Sequence, residues 1–215
     1  SIAMMPFMLT VFFTAILIVK LYAKFPPRTI ARWSFVLVAI GTAWLAFVVR
    51  SEWGTPPVIA GLIIVGLGQG ALVTLLFNVL VTGAPKELAG DVGSLRGVTQ
   101  NLAAAIGTAM VGTILVSLLS SMIIQGAMNN PVITAELMDQ VNLTNLNFMR
   151  DSAITDILKN TTASAEQMTE ALRINGEARI RALKIGFLLM SGLSLLAILP
   201  CSWLPGYLNT GAKKA

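Results

Sequence analysis

The sequence contains no histidine and only one cysteine, Cys201, which excludes several kinds of chemical site. A histidine-based metal site, a cysteine–histidine nucleophile and an internal disulfide each need residues that are missing. Charged residues are also scarce, at 12% of the chain, whereas apolar residues reach 55%. With a mean hydropathy of +0.78, the chain has too little polar surface for a water-soluble domain. The sequence therefore predicts an integral membrane protein, and it suggests no cofactor.

Long windows without ionisable side chains indicate the membrane-spanning segments. Two of them, 58–81 and 97–124, exceed the roughly 20 apolar residues that a helix needs to cross a bilayer. Five windows qualify as spans: 2–19, 33–49, 58–81, 97–124 and 185–204. We predict an all-α integral membrane fold, a polytopic bundle of about five transmembrane helices. Because the chain starts within an apolar stretch, we also expect it to be a fragment of a longer protein.

Residues 126–184 are polar and balanced in charge, and they are predicted to form a separate extracytoplasmic module. The predicted organisation is four membrane helices with short loops in 1–125, the partly helical module in 126–184, and a last membrane helix with a cytoplasmic tail in 185–215. Residues 164–167 resemble a capping box, which predicts a helix that starts there and is interrupted at Gly176. The spacing of residues 133, 137, 138 and 141 predicts another helix. Two roles stay open for the module: a hairpin on the outer mouth of the bundle, or a solvated connector.

Basic residues are concentrated in the loops on one side of the predicted bundle. The loops on that side carry eight lysines and arginines against two acidic residues, whereas the other side carries seven against eight. Because basic loops mark the cytoplasmic face, we expect a multi-pass protein of the cell membrane, of the bacterial inner-membrane kind, with a cytoplasmic C-terminus. This placement accounts for the net charge of +5 without a nucleic-acid partner.

Small and polar residues recur on the third and fourth predicted spans. At four-residue intervals, the third span carries Gly66, Gly70, Thr74 and Asn78, with Gln69 beside them. The fourth span repeats the theme with Gln100 and with Gly93, Gly97, Asn101, Ala105, Thr108 and Gly112. Two uses stay open for such stripes, close helix packing at the glycines or the wall of an aqueous cavity. We assign helix packing or a hinge to Gly66, Gly70, Gly97, Gly107 and Gly112, and a substrate cavity to Gln69, Thr74, Asn78, Gln100 and Asn101.

The polar residues in these stripes are uncharged, which suits an amphipathic organic solute better than a bare ion, since ion channels need charged rings or exposed carbonyls. The predicted spans contain no histidine or carboxylate, although proton-driven transport usually needs one within the membrane. A proton-coupling group is therefore expected outside this chain. A different class of protein, a stand-alone membrane scaffold or oligomeric subunit, also fits the glycine stripes. An enzyme is not expected, because the spans offer no acid–base pair.

Four motifs, taken in order, carry a family resemblance: Gly-Leu-Gly-Gln-Gly at 66–70, Asn78, Ala-Gly-Asp-Val-Gly-Ser-Leu-Arg-Gly at 89–97, and Gln-Asn-Leu at 100–102 followed by Gly107. They resemble the C-terminal half of major facilitator superfamily transporters, most closely the 14-helix drug:proton antiporter branch. Residues 20–28 are similar to the cytoplasmic signature loop of that family. In this loop Lys24 and Arg28 fit the basic positions, whereas Ala23 replaces the usual acid.

The resemblance implies a partial major facilitator fold that exports small amphipathic organic compounds or drugs, by proton antiport and alternating access. The implied partners are the lipid bilayer, a small organic substrate, protons that use the external coupling group, and the missing N-terminal half. The resemblance also implies a cytoplasmic gate formed by Lys20, Lys24, Arg28, Asp91 and Arg96. At the start of the fourth span, an ion pair or helix cap at Asp91 and Arg96 is the alternative to a gate contact.

Overall fold

The structure is a computed structural model and describes residues 4–22, 24–50, 54–83, 85–134, 151–159, 161 and 163–204. These residues form six α-helices: α1 (Met5–Tyr22), α2 (Pro27–Val48), α3 (Pro56–Gly83), α4 (Ala89–Met128), α5 (Asp151–Lys159) and α6 (Ala165–Leu196). Two 3-10 helices, Lys86–Leu88 and Pro200–Trp203, precede α4 and follow α6. All helices except α5 are long and apolar enough to cross a membrane. The predicted all-α membrane fold with five spanning helices is confirmed.

Prolines set the starts of α2 and α3. Pro26 has extended backbone angles, with φ at −66° and ψ at 145°, and Pro27 opens α2, where its missing N–H removes no helix bond. Pro56 and Pro57 open α3 in the same way. The indole N–H of Trp44 donates to the Pro57 carbonyl oxygen at 2.9 Å. This bond ties the C-terminal part of α2 to the first turn of α3, so the two helices are antiparallel neighbours.

The helices separate into two compact units, and the first comprises Ser1–Ala104 and Phe187–Ala215. Within it, α3 packs on both α1 and α2. Two glycines bring the backbones close together. A Cβ atom at Gly70 would lie 2.6 Å from the Val11 carbonyl oxygen of α1, and one at Gly68 would lie 2.6 Å from the Ser34 carbonyl oxygen of α2. Since a backbone oxygen cannot swing away as a side chain can, any larger residue at either position would push the helices apart.

Apolar clusters and two hydrogen bonds hold the first unit together. One cluster contains Ile18, Ile30, Ala31, Ala71, Leu75 and Cys201, and another contains Leu45, Val58 and Leu62. The Ser191 hydroxyl of α6 donates to the Ala39 carbonyl oxygen of α2 at 2.9 Å. The Arg28 guanidinium donates to the Leu204 carbonyl oxygen at 3.4 Å. The C-terminal part of the described chain is therefore fastened to the first turn and to the middle of α2.

The second unit, Ala105–Gly186, contains the C-terminal part of α4, the whole of α5 and the N-terminal part of α6. Its core consists of Leu119, Ile123, Ile154, Leu158, Ala178 and Ala182. A Cβ atom at Gly126 would lie 2.7 Å from the Ile174 side chain, and one at Gly186 would lie 2.7 Å from that of Leu115. These contacts show that α4 and α6 run antiparallel. On the surface, Arg173 forms ion pairs with Glu170 and Glu177.

The start of α6 agrees with the sequence, but its course does not. The predicted capping box is confirmed, because the Ser164 N–H donates to Gln167 Oε1 at 2.9 Å and the Gln167 N–H donates to Ser164 Oγ at 3.2 Å. The interruption predicted at Gly176 is wrong, since α6 continues through this residue. Asn175 and Ala178 are buried on either side of it. Their packing outweighs the roughly 1 kcal/mol that a glycine costs inside a helix.

The length of α4 bears on how the outer module begins. α4 has 40 residues, which corresponds to a length of about 60 Å and thus to about twice the hydrocarbon core of a bilayer. It runs without a break past residue 125, where the predicted module starts, and ends at Met128. The boundaries of the module stay a prediction. The helix predicted around residues 133–141 lies mostly outside the described residues.

Candidate functional site

A cavity of about 810 Å3 lies in the first unit, between α3 and the N-terminal part of α4. We call it the α3–α4 cavity. Its wall contains Phe35 of α2, the α3 residues Gln69, Leu72, Val73, Leu76, Val79, Leu80 and Gly83, and the α4 residues Val92, Leu95, Arg96, Thr99, Gln100 and Ala103. Small-molecule sites have volumes of roughly 300 to 1,000 Å3 and mostly apolar walls. The cavity therefore has the size and the lining of a site for a drug-sized organic molecule.

Helical periodicity explains which residues reach this cavity. The α4 residues 92, 96, 99 and 103 follow one another at intervals of three or four, and residues 95 and 100 lie beside them, which places all six on one broad face of the helix. With a rise of 1.5 Å per residue, the stretch 92–103 is about 16 Å long, and the α3 stretch 69–83 is about 21 Å long. The cavity thus runs from the middle of α3 to the loop between α3 and α4.

Four polar side chains interrupt the apolar wall: Gln69 from α3, and Arg96, Thr99 and Gln100 from α4. Within the described residues, the side chains of Gln69, Thr99 and Gln100 make no hydrogen bond to protein. Each of the two carboxamides offers two N–H donors and one oxygen acceptor. A few polar groups in an apolar wall fix the orientation of a bound molecule. The donors and acceptors in this cavity are therefore free for a solute.

Arg96 is the charged member of the wall, and it is half-buried. Its guanidinium lies over the ring of Phe77, with Cζ 5.0 Å from the ring centroid, which is a cation–π contact. Among the described residues, no carboxylate lies within 4.0 Å of its nitrogen atoms. Asp91 precedes it by five residues on α4, so the two side chains point about 140° apart around the helix and form no ion pair with each other.

The structure separates the five polar residues that the sequence assigns to a cavity. Gln69 and Gln100 line the α3–α4 cavity, whereas Thr74, Asn78 and Asn101 are not among the described residues of its wall. The reason is geometric, because a step of four residues advances about 400° around an α-helix and a four-residue stripe therefore drifts about 40° per step. Asn101 is one residue beyond Gln100 and so points about 100° away from it.

Two cavity residues, Arg96 and Thr99, escaped the sequence-based prediction of the wall. The sequence assigns Arg96 to a gate loop and gives Thr99 no role. A signal for both is present, since residues three and four apart share a helix face: Arg96 precedes Gln100 by four residues, and Thr99 follows Arg96 by three. Taking Gln100 as the reference would have added Arg96 and Ala103 to the same face. The sequence also gave no hint of the Phe77 contact.

The predicted packing glycines differ in their surroundings. Gly66 and Gly70 lie against α1, where a Cβ atom at Gly66 would be 3.0 Å from the Phe7 carbonyl oxygen. At Gly97, Gly107 and Gly112, by contrast, an added Cβ atom would meet no described atom within 4 Å. The first pair therefore occupies a tight helix interface, and the three glycines of α4 lie in open surroundings.

The predicted gate residues do not form one cluster in the described chain. Lys20 lies in the last turn of α1, and Lys24 in the turn that follows. Arg28 donates to the Leu204 carbonyl oxygen, so it holds the C-terminal 3-10 helix instead of meeting an acid. Asp91 and Arg96 belong to α4, on different faces. Ala23 lies outside the described residues.

A second cavity, of about 380 Å3, lies between α1 and α2 and also touches α3 through Leu67 and Ala71. We call it the α1–α2 cavity. Its polar side chains include Thr14 and Ser34, and both hydroxyls donate to carbonyl oxygens of their own helices at 2.7 Å, Thr14 to Thr10 and Ser34 to Ile30. These two hydroxyls are therefore already used. The wall is mostly apolar, although it also contains Thr29 and the indole of Trp33.

Comparison with known proteins places the first half of the chain in a family. The sequence profile of the Major Facilitator Superfamily matches residues 1–108, half of the 215 residues. The match covers α1 to α3, the N-terminal part of α4 and every residue in the wall of the α3–α4 cavity. Comparisons with curated proteins and with solved structures give no match.

Proposed function

Because the chain belongs to the major facilitator superfamily, a family of membrane transporters and not of enzymes, we propose that it exports small amphipathic organic compounds by secondary active transport. It would act as the C-terminal part of a longer transporter of the drug:proton antiporter branch. The single observation that carries the proposal is the α3–α4 cavity, a volume of about 810 Å3 whose apolar wall presents two free carboxamides.

The chemistry of this wall favours a solute with both apolar and polar parts. Apolar side chains such as Leu72, Leu76 and Leu80 remove a hydrocarbon or aromatic body from water, which is favourable by roughly 25 cal/mol for each Å2 buried. Gln69 and Gln100 offer hydrogen bonds to the polar part from opposite helices. A hydrated metal ion gains nothing from such a wall, and a small inorganic anion would leave most of the apolar wall uncovered, so the cavity suits an amphipathic organic molecule.

The position of the cavity supports export. It reaches Gly83 and Val92, the residues on either side of the α3–α4 loop. This loop belongs to the basic side of the chain, which by the distribution of lysine and arginine is cytoplasmic in the inner membrane of a bacterium. A solute would enter from the cytoplasm or the inner leaflet and leave on the other side after the two halves rock about the cavity.

Proton antiport requires a group that titrates within the membrane, and the uncharged windows of these spans supply none. The coupling carboxylate or histidine would therefore belong to the N-terminal half. Alternating access permits such an arrangement. The half described here would form part of the cavity wall, and the other half would supply the group that binds and releases the proton. The C-terminus is cytoplasmic in this proposal.

The experiment is efflux from proteoliposomes that contain the native full-length protein, loaded with a fluorescent amphipathic dye and energised by an imposed proton gradient. We expect gradient-dependent dye movement, and about tenfold slower movement when Gln69 and Gln100 are both replaced by leucine, because two solute hydrogen bonds are lost. A rate of dye movement that is the same with and without the proton gradient, and the same in the wild-type protein and the double variant, would contradict the proposal. Absence of any movement would favour the scaffold interpretation.

A further inference from the structure

The charge of the cavity suggests which amphipathic solutes it accepts. We propose that the α3–α4 cavity selects amphipathic monoanions, with Arg96 binding the anionic group and the apolar wall binding the body of the molecule. This inference rests on the proposed function, since it names the substrate class of the same cavity. It follows from three observations: the placement of Arg96, its lack of an acidic partner among the described residues, and the length of wall beyond it.

Arg96 is placed to receive an anion. The guanidinium carbon Cζ lies over the Phe77 ring, 5.0 Å from its centroid, and among the described residues its N–H groups have no hydrogen-bond acceptor. The ring contact therefore holds the guanidinium in place while its donors stay free. A planar fork of donors fits a carboxylate, a sulfonate or a similar group with two parallel hydrogen bonds.

The charge of Arg96 is uncompensated inside the cavity. The wall contains no Asp or Glu, and no described carboxylate lies within 4.0 Å of the guanidinium. Because the surrounding side chains are mostly apolar, they screen the charge less well than water does. A cationic solute would be repelled by this charge, and a neutral one would gain nothing from the charge. An anionic solute would be attracted.

The rest of the wall sets the shape of the anion. From Arg96 to Ala103, α4 continues for seven residues, or about 10 Å, with Thr99 and Gln100 as its polar members. An apolar body of about this length fits beyond the anionic group, and one carboxamide or hydroxyl contact on the body is available. Because the wall holds one cation, a monoanion fits it better than a dianion, and small hydrophilic anions would leave the apolar wall empty.

The same chemistry occurs in a soluble anionic amphiphile and in an anionic phospholipid, whose headgroup lies at the level of the membrane surface. The proposal is for the solute. We would distinguish the two sources by placing the protein in nanodiscs of phosphatidylcholine, which has no net charge, and in nanodiscs that also contain phosphatidylglycerol. Solute binding that survives in the anionic lipid with less than about a threefold loss of affinity supports the proposal. Binding abolished there overturns it in favour of the lipid.

The test uses three probes with one naphthalene body: a sulfonate, the corresponding sulfonamide and a trimethylammonium derivative. Their affinities for the native full-length protein in phosphatidylcholine nanodiscs are measured by fluorescence. We expect the anion to bind at least about tenfold more tightly than the cation, with the neutral probe between them. Arg96→Gln should remove this order, and Arg96→Lys should keep the sign of the preference with weaker anion binding, because a lysine ammonium cannot form the two parallel bonds.

Arg32→Gln is the matched control, since Arg32 is an exposed arginine of the same basic side outside the cavity wall, and the order of the probes should not change. Binding of the neutral probe shows that each variant is folded. Equal affinity for the three probes, or an unchanged order in Arg96→Gln, would overturn the anion selectivity and leave the proposed export intact. If no probe binds the wild-type protein, the proposed export by this cavity fails as well.

Discussion

Two cavities of the first unit both contain polar residues, yet the buried hydroxyls of one are bonded to the helix backbone, whereas the carboxamides of the other are free of bonds to the described protein. In the α1–α2 cavity, the short side chains of Thr14 and Ser34 fold back onto their own helices and donate at 2.7 Å. In the α3–α4 cavity, the longer carboxamides of Gln69 and Gln100 make no hydrogen bond to the described protein. A serine or threonine hydroxyl in a helix can donate to a carbonyl oxygen of the preceding turn, whereas the longer glutamine side chain forms such a bond less readily. Polar composition alone therefore does not identify a binding site.

The largest effect on both cavities is expected from Gly68→Ala. A Cβ atom at this position would lie 2.6 Å from the Ser34 carbonyl oxygen, so α3 must move away from α2, and Gly68 stands beside Gln69 of one cavity and against Ser34 of the other. We expect a loss of about 1–3 kcal/mol in the stability of the helix bundle, measured as thermal unfolding in detergent.

Gly97→Ala is the control for this change, because an added Cβ atom there meets no described atom within 4 Å. Alanine is the better helix former by about 1 kcal/mol, so this variant should unfold at the same or a higher temperature. A matching loss of stability in both variants would show that Gly97 also lies in a helix interface, and it would contradict the difference between the two glycines.

An intermediate effect is expected within the wall itself, at two adjacent residues. Gln100→Leu should slow transport about three- to tenfold, since one solute hydrogen bond is lost. Asn101→Leu should have little effect, because Asn101 points about 140° away from Arg96 and about 160° away from Ala103, on the opposite face of α4. Initial rates of dye efflux from proteoliposomes compare the two variants. Equal losses would mean that a different face of α4 meets the solute.

The smallest effect is expected in the α1–α2 cavity. Ser34→Ala removes a hydroxyl that is bonded to the Ile30 carbonyl oxygen, an atom that is already within a helix. We expect no change in transport and a shift in stability below about 0.5 kcal/mol. Substrate affinity and thermal unfolding are the measurements. A clear loss of affinity would show that Ser34 contacts the solute, so that the second cavity also takes part in transport.

The positions of the helices could be predicted from the sequence, whereas the helix faces that line the cavity could be predicted less well. Uncharged windows located all five spanning helices, because bilayer thickness imposes a minimum apolar length that few other structures require. The capping box marked the start of α6, whereas the uncharged windows begin inside α2 and α3, which start earlier at Pro27 and Pro56. The apparent break at Gly176 was wrong because tertiary packing decides whether a helix tolerates a glycine, and packing is not visible in local sequence.

Two of the five predicted substrate-cavity residues, Gln69 and Gln100, lie in the wall of the α3–α4 cavity, and their role in transport stays a prediction. Carboxamides are conspicuous in apolar helices, whereas Thr74, Asn78 and Asn101 are grouped with them by a four-residue spacing that drifts around the helix. The face of α3 that is left for α4 depends on which faces pack against α1 and α2 through their glycines. Gly68 faces α2 and Gly70 faces α1, which leaves the side with Gln69 for the cavity. That allocation requires three helices to be packed together and cannot be derived from one.

The most direct test of the central claim is photolabelling of the native protein with an amphipathic anion that carries a small photoreactive group, followed by mass-spectrometric mapping of the labelled residues. Our account predicts labels within residues 69–83 of α3 and 92–103 of α4, reduced by an excess of unlabelled solute. Labels confined to residues 14–37, which form most of the α1–α2 cavity, or labels that no solute displaces, would contradict it.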